Sequence, residues 1–191
     1  MCVIVPLVLG MLTGCGPWSF GGSQIKLVSY RDPYFPETYR VAFQQCAFRC
    51  DAANDVHIAA RAVSKADSPD DQITQYLHVH MFWQPRPGRT AVEGTMTDAT
   101  MRYVVVTRTG TAVYAGTGFV FPKREGRSLI AAIESANLRL VTRVGDVPEL
   151  LGDARLTGKL VAKEDEHATV DTVRELDLHA AGPAGPPAAM P

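Results

Sequence analysis

The feature that most constrains the fold is a pair of strand-forming runs near the middle of the chain. Residues 101–107 are nearly all β-branched or aromatic, and they are too few and too valine-rich for a helix. A second strand-forming run follows Thr109-Gly110 and continues to Pro122. Glycine supplies the positive φ that a two-residue turn between two strands requires. The pattern predicts a β-hairpin with Thr109 and Gly110 at its turn. That register would place Tyr103 opposite Gly116.

Shorter strand patterns surround this hairpin, with turn residues between them. They occupy residues 24–30, 38–50, 56–63, 75–84, 90–97 and 154–163. In the segment 129–144 the second half favours a strand, whereas residues 129–136 fit either a helical turn and a half or a strand. Near the end, Val170, Val173 and Leu176 lie three apart, which predicts a helix over residues 168–178. We therefore expect a mainly β fold, an antiparallel β-sandwich of about seven to nine strands with a short C-terminal helix.

The start of the chain resembles a targeting signal. Its apolar run is shorter than the about 20 residues that span a bilayer as a helix, but it fits the about 7–15 residues of a secretory signal core. It ends in Leu12-Thr13-Gly14-Cys15, which resembles the lipobox of bacterial lipoproteins. The resemblance implies cleavage after Gly14 and lipidation of Cys15, so that the membrane is a partner through the lipid anchor.

The resemblance covers the targeting segment alone and implies a signal peptide at 1–14. Composition and strand pattern predict the rest: a glycine-rich tether at 15–23, a single β-rich domain at 24–179 and a disordered tail at 180–191. Gly16, rather than Asp, follows the cysteine, which in this class of proteins implies the outer membrane, with the domain facing the periplasm. The domain contains roughly 155 residues, which is an ordinary length for one domain.

Charge and motifs narrow the function classes. The net charge is −1, with acids and bases interspersed, so no basic patch indicates nucleic-acid binding. The chain contains no G-x-S-x-G elbow, H-E-x-x-H pair, phosphate loop or dinucleotide glycine fingerprint. An enzyme is therefore less expected than a binding or structural protein, and no residue stands out as a nucleophile.

Cys46 and Cys50 would be the two thiols of the mature domain. In an exported protein such a pair can form a disulfide. Four residues along a strand cover about 13 Å, whereas a disulfide joins Cα atoms at most roughly 7 Å apart. Either the strand bends between them to form a bridge, or both are separately buried thiols.

A His-x-His pair gives the clearest candidate for metal chemistry. Alternation places His78 and His80 on one face of their strand, about 7 Å apart, where both imidazoles could reach one ion. His57 on the neighbouring predicted strand is the nearest third histidine, and zinc or copper is the metal that such ligands would take. The alternative is a half-exposed strand face without a metal, in which case no cofactor is expected.

Aromatic residues crowd the predicted loop after the first strand. Tyr30, Arg31, Tyr34, Phe35 and Tyr39 lie in or beside it. The loop either packs over one end of the core or presents a recognition patch to a partner.

Taken together, the sequence predicts a lipid-anchored protein of the cell envelope. We expect a non-enzymatic structural or binding module, with another envelope protein as a candidate partner. A metal-binding protein that uses the His-x-His pair is the alternative, and an enzyme without a recognisable motif is the third.

Overall fold

The computed structural model describes residues 22–64, 72–82, 99–147 and 151–181. Within them the chain forms nine β-strands and one α-helix. The elements are β1 (Ser23–Ser29), β2 (Glu37–Phe43), β3 (Gln45–Cys50), β4 (Val56–Val63), β5 (Thr74–Met81), β6 (Ala99–Thr107), β7 (Gly110–Glu125), β8 (Ser128–Gly145), β9 (Ala154–Glu164) and α1 (Glu166–Ala181).

The described strands belong to one mixed sheet, in the order β2-β1-β9-β3-β4-β5-β6-β7-β8. β8 also pairs with β9, so the sheet closes on itself. The other edge of β9 pairs with β1 and then, over Lys163 and Glu164, with β3 in parallel. The mainly β class and the C-terminal helix are confirmed. One sheet with a parallel pair takes the place of the two antiparallel sheets expected of a sandwich.

The length of β7 and β8 accounts for this difference. They contain 16 and 18 residues, roughly three times the length of an average strand. Their register shifts between Val113 and Tyr114 and again between Phe119 and Val120, and such irregularities bend a strand and increase its twist. Because the long strands coil, opposite walls of the same sheet enclose the core.

Side chains alternate between an inner core and an outer face. The inner cluster takes apolar residues from all nine described strands. A smaller cluster lies on the outer face beneath α1 and consists of Tyr76, Val104, Val113 and Leu176. The helix therefore covers one part of the outer surface of the sheet.

The predicted hairpin forms, but its turn lies one residue earlier than expected. Arg108 and Thr109 occupy the turn, and Gly110 is the first residue of β7. Tyr103 consequently lies opposite Tyr114, two residues out of the predicted register. A Cβ at Gly110 would lie 2.1 Å from a backbone oxygen of β8. Glycine is therefore needed there for the close approach of β8 rather than for a positive φ.

Segment 38–50, predicted as one strand, is divided into β2 and β3. The break lies at Gln44, whose side chain bonds both backbone groups of Val63: Oε1 accepts from the nitrogen at 2.8 Å and Nε2 donates to the oxygen at 3.4 Å. β2 pairs with β1, whereas β3 pairs with β4. The chain thus changes neighbours at Gln44.

The helix begins with a side-chain cap. Asp165 precedes α1, and its Oδ1 accepts a hydrogen bond from the backbone nitrogen of Ala168 at 3.0 Å, which is the usual role of aspartate at this position. α1 extends beyond the predicted 168–178 at both ends and includes the first two residues that we assigned to the tail. Among the described residues, no helix is long and apolar enough to cross a bilayer.

Several predictions concern residues that the structure does not describe. They are the signal peptide, the lipidation of Cys15, the edge strand at 90–97 and the tail from 182 onward. All lie outside the described residues. Ser23, which we assigned to the tether, begins β1.

Candidate functional site

Three histidines meet on the outer face of β4 and β5. β5 buries its apolar side chains in the core and turns His78 and His80 outward. The antiparallel register puts His57 of β4 directly opposite His80. Arg49 of β3 lies opposite His57 in turn. The three histidines that we selected from the sequence are therefore close together, and an arginine lies beside them.

A hydrogen-bonded chain joins Asp51, His57 and His78. His57 Nε2 lies 3.3 Å from Asp51 Oδ2, and His57 Nδ1 lies 3.2 Å from His78 Nε2. An ionised carboxylate can only accept, so Nε2 of neutral His57 donates to Asp51. His57 Nδ1 then accepts from Nε2–H of His78. These two hydrogen bonds fix the orientation and the tautomer of both rings.

Asp51 is itself held by the turn that follows β3. Its Oδ1 accepts from the backbone nitrogens of Ala53 and Asp55, each at 2.9 Å, and Asn54 completes the turn with a φ of 64°. The bond from the Asp55 backbone and the bond from His57 lower the pKa of Asp51 below its ordinary value. The carboxylate is thus ionised and rigidly placed at neutral pH.

His80 belongs to the same cluster but has its own carboxylate. Its Nε2 lies 3.1 Å from Oδ2 of Asp55. The His80 ring stacks on that of His57, with ring centroids 4.4 Å apart and planes 7° from parallel. Phe82 also contacts the His80 ring, at 4.7 Å between centroids and with its plane tilted by 53°. The imidazoles thus form a compact wall.

Burial keeps two of the histidines neutral. It lowers the pKa of His78 to about 4, and the neighbouring His57 and Arg102 add to this effect. The pKa of His57 is also lowered, mainly by burial, although its bond to Asp51 partly opposes the shift. At neutral pH both rings are therefore uncharged members of the hydrogen-bonded chain.

The observed ring positions are those of a hydrogen bond rather than of two metal ligands. The His57 and His78 nitrogens are 3.2 Å apart, while the ring centroids are 5.4 Å apart and the planes nearly parallel, so the two nitrogens face each other. Two ligands of a tetrahedral ion, at about 2.0–2.1 Å per bond, would have nitrogens at a similar separation but aimed at a shared third point rather than at each other. In the part of the chain that the structure describes, no three or more His, Cys, Asp or Glu side chains are grouped to hold a metal.

A cleft of about 460 Å³ lies between this wall and α1. His57 and His78 contribute its polar side, and the helix contributes Val170, Val173 and Leu178. Small-molecule sites commonly enclose about 300–1,000 Å³ and combine apolar walls with a few polar groups. The cleft has the size and the mixture of surfaces of such a site.

Polar contacts hold α1 over the sheet beside the cleft. Tyr76 donates its hydroxyl to Glu175 Oε2 at 3.1 Å. Arg102 of β6 forms an ion pair with Asp177. Together with the buried Leu176, which packs with Tyr76, Val104 and Val113, these contacts fix the helix over β5–β7. The width of the cleft is therefore set by the position of α1.

The aromatic residues after β1 lie apart from this cleft. Tyr34 and Phe35 are 87% and 76% exposed and Tyr30 is 44% exposed, so the loop does not pack over the core as one of our two alternatives required. Tyr39 is half-buried against the inner core. Arg31 is exposed beside them, which leaves an accessible aromatic patch.

Cys46 and Cys50 are free thiols in the structure. β3 continues without a break from Gln45 to Cys50, so the bend that a disulfide needs is missing and the bridged alternative is corrected. Both side chains pack against the inner core. Burial raises the pKa of Cys46 to about 11, which makes it an unreactive thiol.

Other residues of the site were missed in the sequence. Asp51 and Asp55 were assigned only to a turn, and Arg49 was not singled out. The available signal was positional, because a turn between two paired strands lies next to the side chains at the strand ends. The contribution of α1 had no local signal, since the helix follows β4 by about a hundred residues.

The chain was also compared with known proteins. No protein-family model, no curated protein and no solved structure matches it.

Proposed function

We propose that the protein is a lipid-anchored component of the bacterial envelope and acts as a non-enzymatic binding module. The likeness of Leu12-Thr13-Gly14-Cys15 to a lipobox supports the anchor, and Gly16 supports an outer-membrane position facing the periplasm. The binding site is the cleft beneath α1. The aromatic patch at Tyr34 is a second surface, open to an envelope protein partner.

The cleft is the observation that carries this proposal. It joins apolar side chains of α1 to a polar wall. Both nitrogens of His57 are engaged, one with Asp51 and one with His78. The ring therefore serves as a rigid surface with defined polarity, as a binding site requires.

Thermal unfolding of a cleft-filling variant tests the proposal. Small-molecule fractions extracted from bacterial envelopes would be added to the mature chain, to Val173→Trp and to Val141→Trp. Val141 is exposed on β8 and lies outside the cleft lining, so its substitution is the matched control. We expect one or more fractions to raise the Tm of the wild type and of Val141→Trp but not of Val173→Trp, because ligands that bind the folded state stabilise it.

Two outcomes would contradict this function. One is that no fraction shifts the wild-type Tm. The other is that Val173→Trp is stabilised as much as the control, which would place binding elsewhere on the molecule.

A zinc or copper site is the second candidate function. Three imidazoles and two carboxylates lie within one patch, and a rotation of His57 or His78 would break their bond and free a nitrogen from each. Elemental analysis after exposure to zinc or copper and dialysis tests this candidate. Near-stoichiometric metal that is lost with His78→Ala or His80→Ala, and kept with the exposed control His167→Ala, supports it. The wild type without retained metal contradicts it.

A further inference from the structure

We propose that the cleft beneath α1 takes a small amphipathic carboxylate, a free acyl chain of medium length that ends in a single carboxylate. This inference rests on the proposed binding function and adds the chemical class of the ligand. It follows from two different surfaces that line the same cleft: a guanidinium on the sheet and an apolar stripe on the helix.

The charged end of the cleft is Arg49. It is half-buried and forms no ion pair within the described parts of the chain. The other arginines on this side of the sheet have acidic partners on α1: Arg102 pairs with Asp177, and Arg61 lies 3.8 Å from Glu175. A guanidinium binds a carboxylate through two parallel hydrogen bonds. Arg174 on α1 also lines the cleft, but it is 70% exposed and lies 3.8 Å from Asp171. Arg49 is thus the half-buried cation of the lining that is available to a ligand.

The surrounding charges favour a single negative charge on the ligand. Asp51 lies behind His57, and Asp177 lines the cleft on the helix side. These carboxylates would repel a dianion such as phosphate more strongly than a monoanion. His57 and His78 are neutral at physiological pH and add no charge of their own. Arg49, the half-buried arginine of the lining, therefore matches one carboxylate, while the exposed Arg174 lies beside Asp171.

The apolar end of the cleft is a stripe on α1. Val170 and Val173 are half-buried, and Leu178 is 68% exposed at the opening. Residues 170–178 extend about 12 Å along the helix at about 1.5 Å per residue, so an acyl chain of about eight carbons lies along most of the stripe. Its binding would remove the exposed surface of Leu178 from water, which is favourable.

Isothermal titration calorimetry with octanoate and with octanol separates the two surfaces. The chain from Gly16 onward would be used, because it lacks the lipid-bearing Cys15 and keeps every described residue. We expect octanoate to bind with a stoichiometry of one, and Arg49→Gln to weaken it about tenfold or more, since hydrogen bonds to charged groups are the stronger ones. Octanol should bind weakly and equally to wild type and Arg49→Gln. Val173→Ser should weaken both ligands, whereas Val141→Ser should change neither.

Chain length gives an independent readout. Each methylene removed between octanoate and butanoate should weaken binding about two- to fourfold. Absence of octanoate binding, equal affinity for octanol, or an unchanged affinity in Arg49→Gln would overturn the inference. A peptide whose C-terminal carboxylate binds at Arg49 more tightly than octanoate does would also overturn it. If envelope fractions stabilise the protein through the cleft while octanoate does not bind, the ligand class is wrong but the binding function stands.

Discussion

At the scale of single residues, the histidine cluster links the folded state to pH. His57 and His78 are held neutral in the folded chain because burial opposes their protonation. In the unfolded chain both would have the ordinary histidine pKa of about 6.5. Between that value and the lowered folded pKa, the unfolded state binds more protons than the folded state. The stability that depends on keeping these two histidines neutral is therefore fully present above about pH 6.5, and it is lost as the pH falls towards their lowered folded pKa values.

Replacement of His78 should reduce this pH dependence. With a folded pKa of about 4, His78 alone is expected to cost the wild type about 2 kcal/mol of unfolding free energy between pH 7 and pH 5. Between pH 7 and pH 5, the unfolding free energy of the variant His78→Gln should therefore fall by about 2 kcal/mol less than that of the wild type. Urea denaturation at the two pH values measures the difference. The exposed control His167→Gln should behave as the wild type does, and an identical loss in His78→Gln would contradict the account.

Residue type also determines how closely the strands approach each other. Gly110 faces β8 so closely that a Cβ would meet a backbone oxygen, and a backbone atom cannot move aside as a flexible side chain can. We expect Gly110→Ala to lower the unfolding free energy by at least about 2 kcal/mol. Gly22, which has open space around its Cα, is the control, and Gly22→Ala should change stability little. Chemical denaturation measures both, and equal stabilities would contradict the explanation of the displaced turn.

At the scale of elements, α1 is what turns a sheet surface into a cleft. Its cap, its buried Leu176 and its ion pair to β6 hold it in place. The outer faces of β4 and β5 alone would present the histidines on an open surface. The cleft therefore depends on an element that joins the sheet only through tertiary contacts.

The helix cap can be tested directly. Asp165→Ala removes the acceptor of the Ala168 backbone nitrogen and should lower the unfolding free energy by about 1 kcal/mol. Asp171 is exposed on the same helix, and Asp171→Ala should stay within about 0.5 kcal/mol of the wild type. Circular dichroism melts of both variants give the comparison. If the two variants lose the same stability, Asp165 does not cap α1.

Elements were predictable from the sequence to the extent that local pattern determines them. β4 has the predicted bounds, and alternation correctly placed His78 and His80 on the outer face. The sequence prediction placed the turn one residue too late. Gly110 is needed for the close approach of β8, and a local sequence pattern does not show that contact. The division at Gln44 depends on its bonds to Val63, nineteen residues away.

The site shows the same division between local and long-range information. The grouping of His57 with the His-x-His pair followed from the antiparallel neighbourhood of two adjacent strands. The cleft could not be predicted in this way, because α1 follows β4 by about a hundred residues in the sequence. The strand pattern likewise does not predict that the sheet closes through the pairing of β8 and β9, because the same pattern is also compatible with a sandwich.

At the scale of the whole molecule, the proposed anchor and the proposed binding cleft would give the two parts of the chain different functions. The N-terminal segment would hold the protein at a membrane, while the closed sheet with its helix would bind a ligand. A membrane-bound acyl carboxylate carrier or sensor is consistent with both parts.

The anchor makes a prediction of its own. Cys15→Ala removes the thiol that would carry the lipid, so the variant should incorporate no labelled palmitate and should keep its uncleaved N-terminus. Labelling in bacteria, with the intact mass of the purified chain, measures both. The wild type should be labelled and should begin at Cys15. A wild-type chain without label, or a Cys15→Ala chain with it, would contradict the lipoprotein assignment.

The most direct test of the central claim is native mass spectrometry of the chain from Gly16 onward, which lacks the lipid-bearing cysteine and can be purified from bacterial cells without detergent. We predict that the wild type and Val141→Trp carry a small acidic molecule, and that Val173→Trp, with the cleft filled, carries none. If the wild type carries no molecule, or if Val173→Trp keeps it, the cleft beneath α1 is not the binding site.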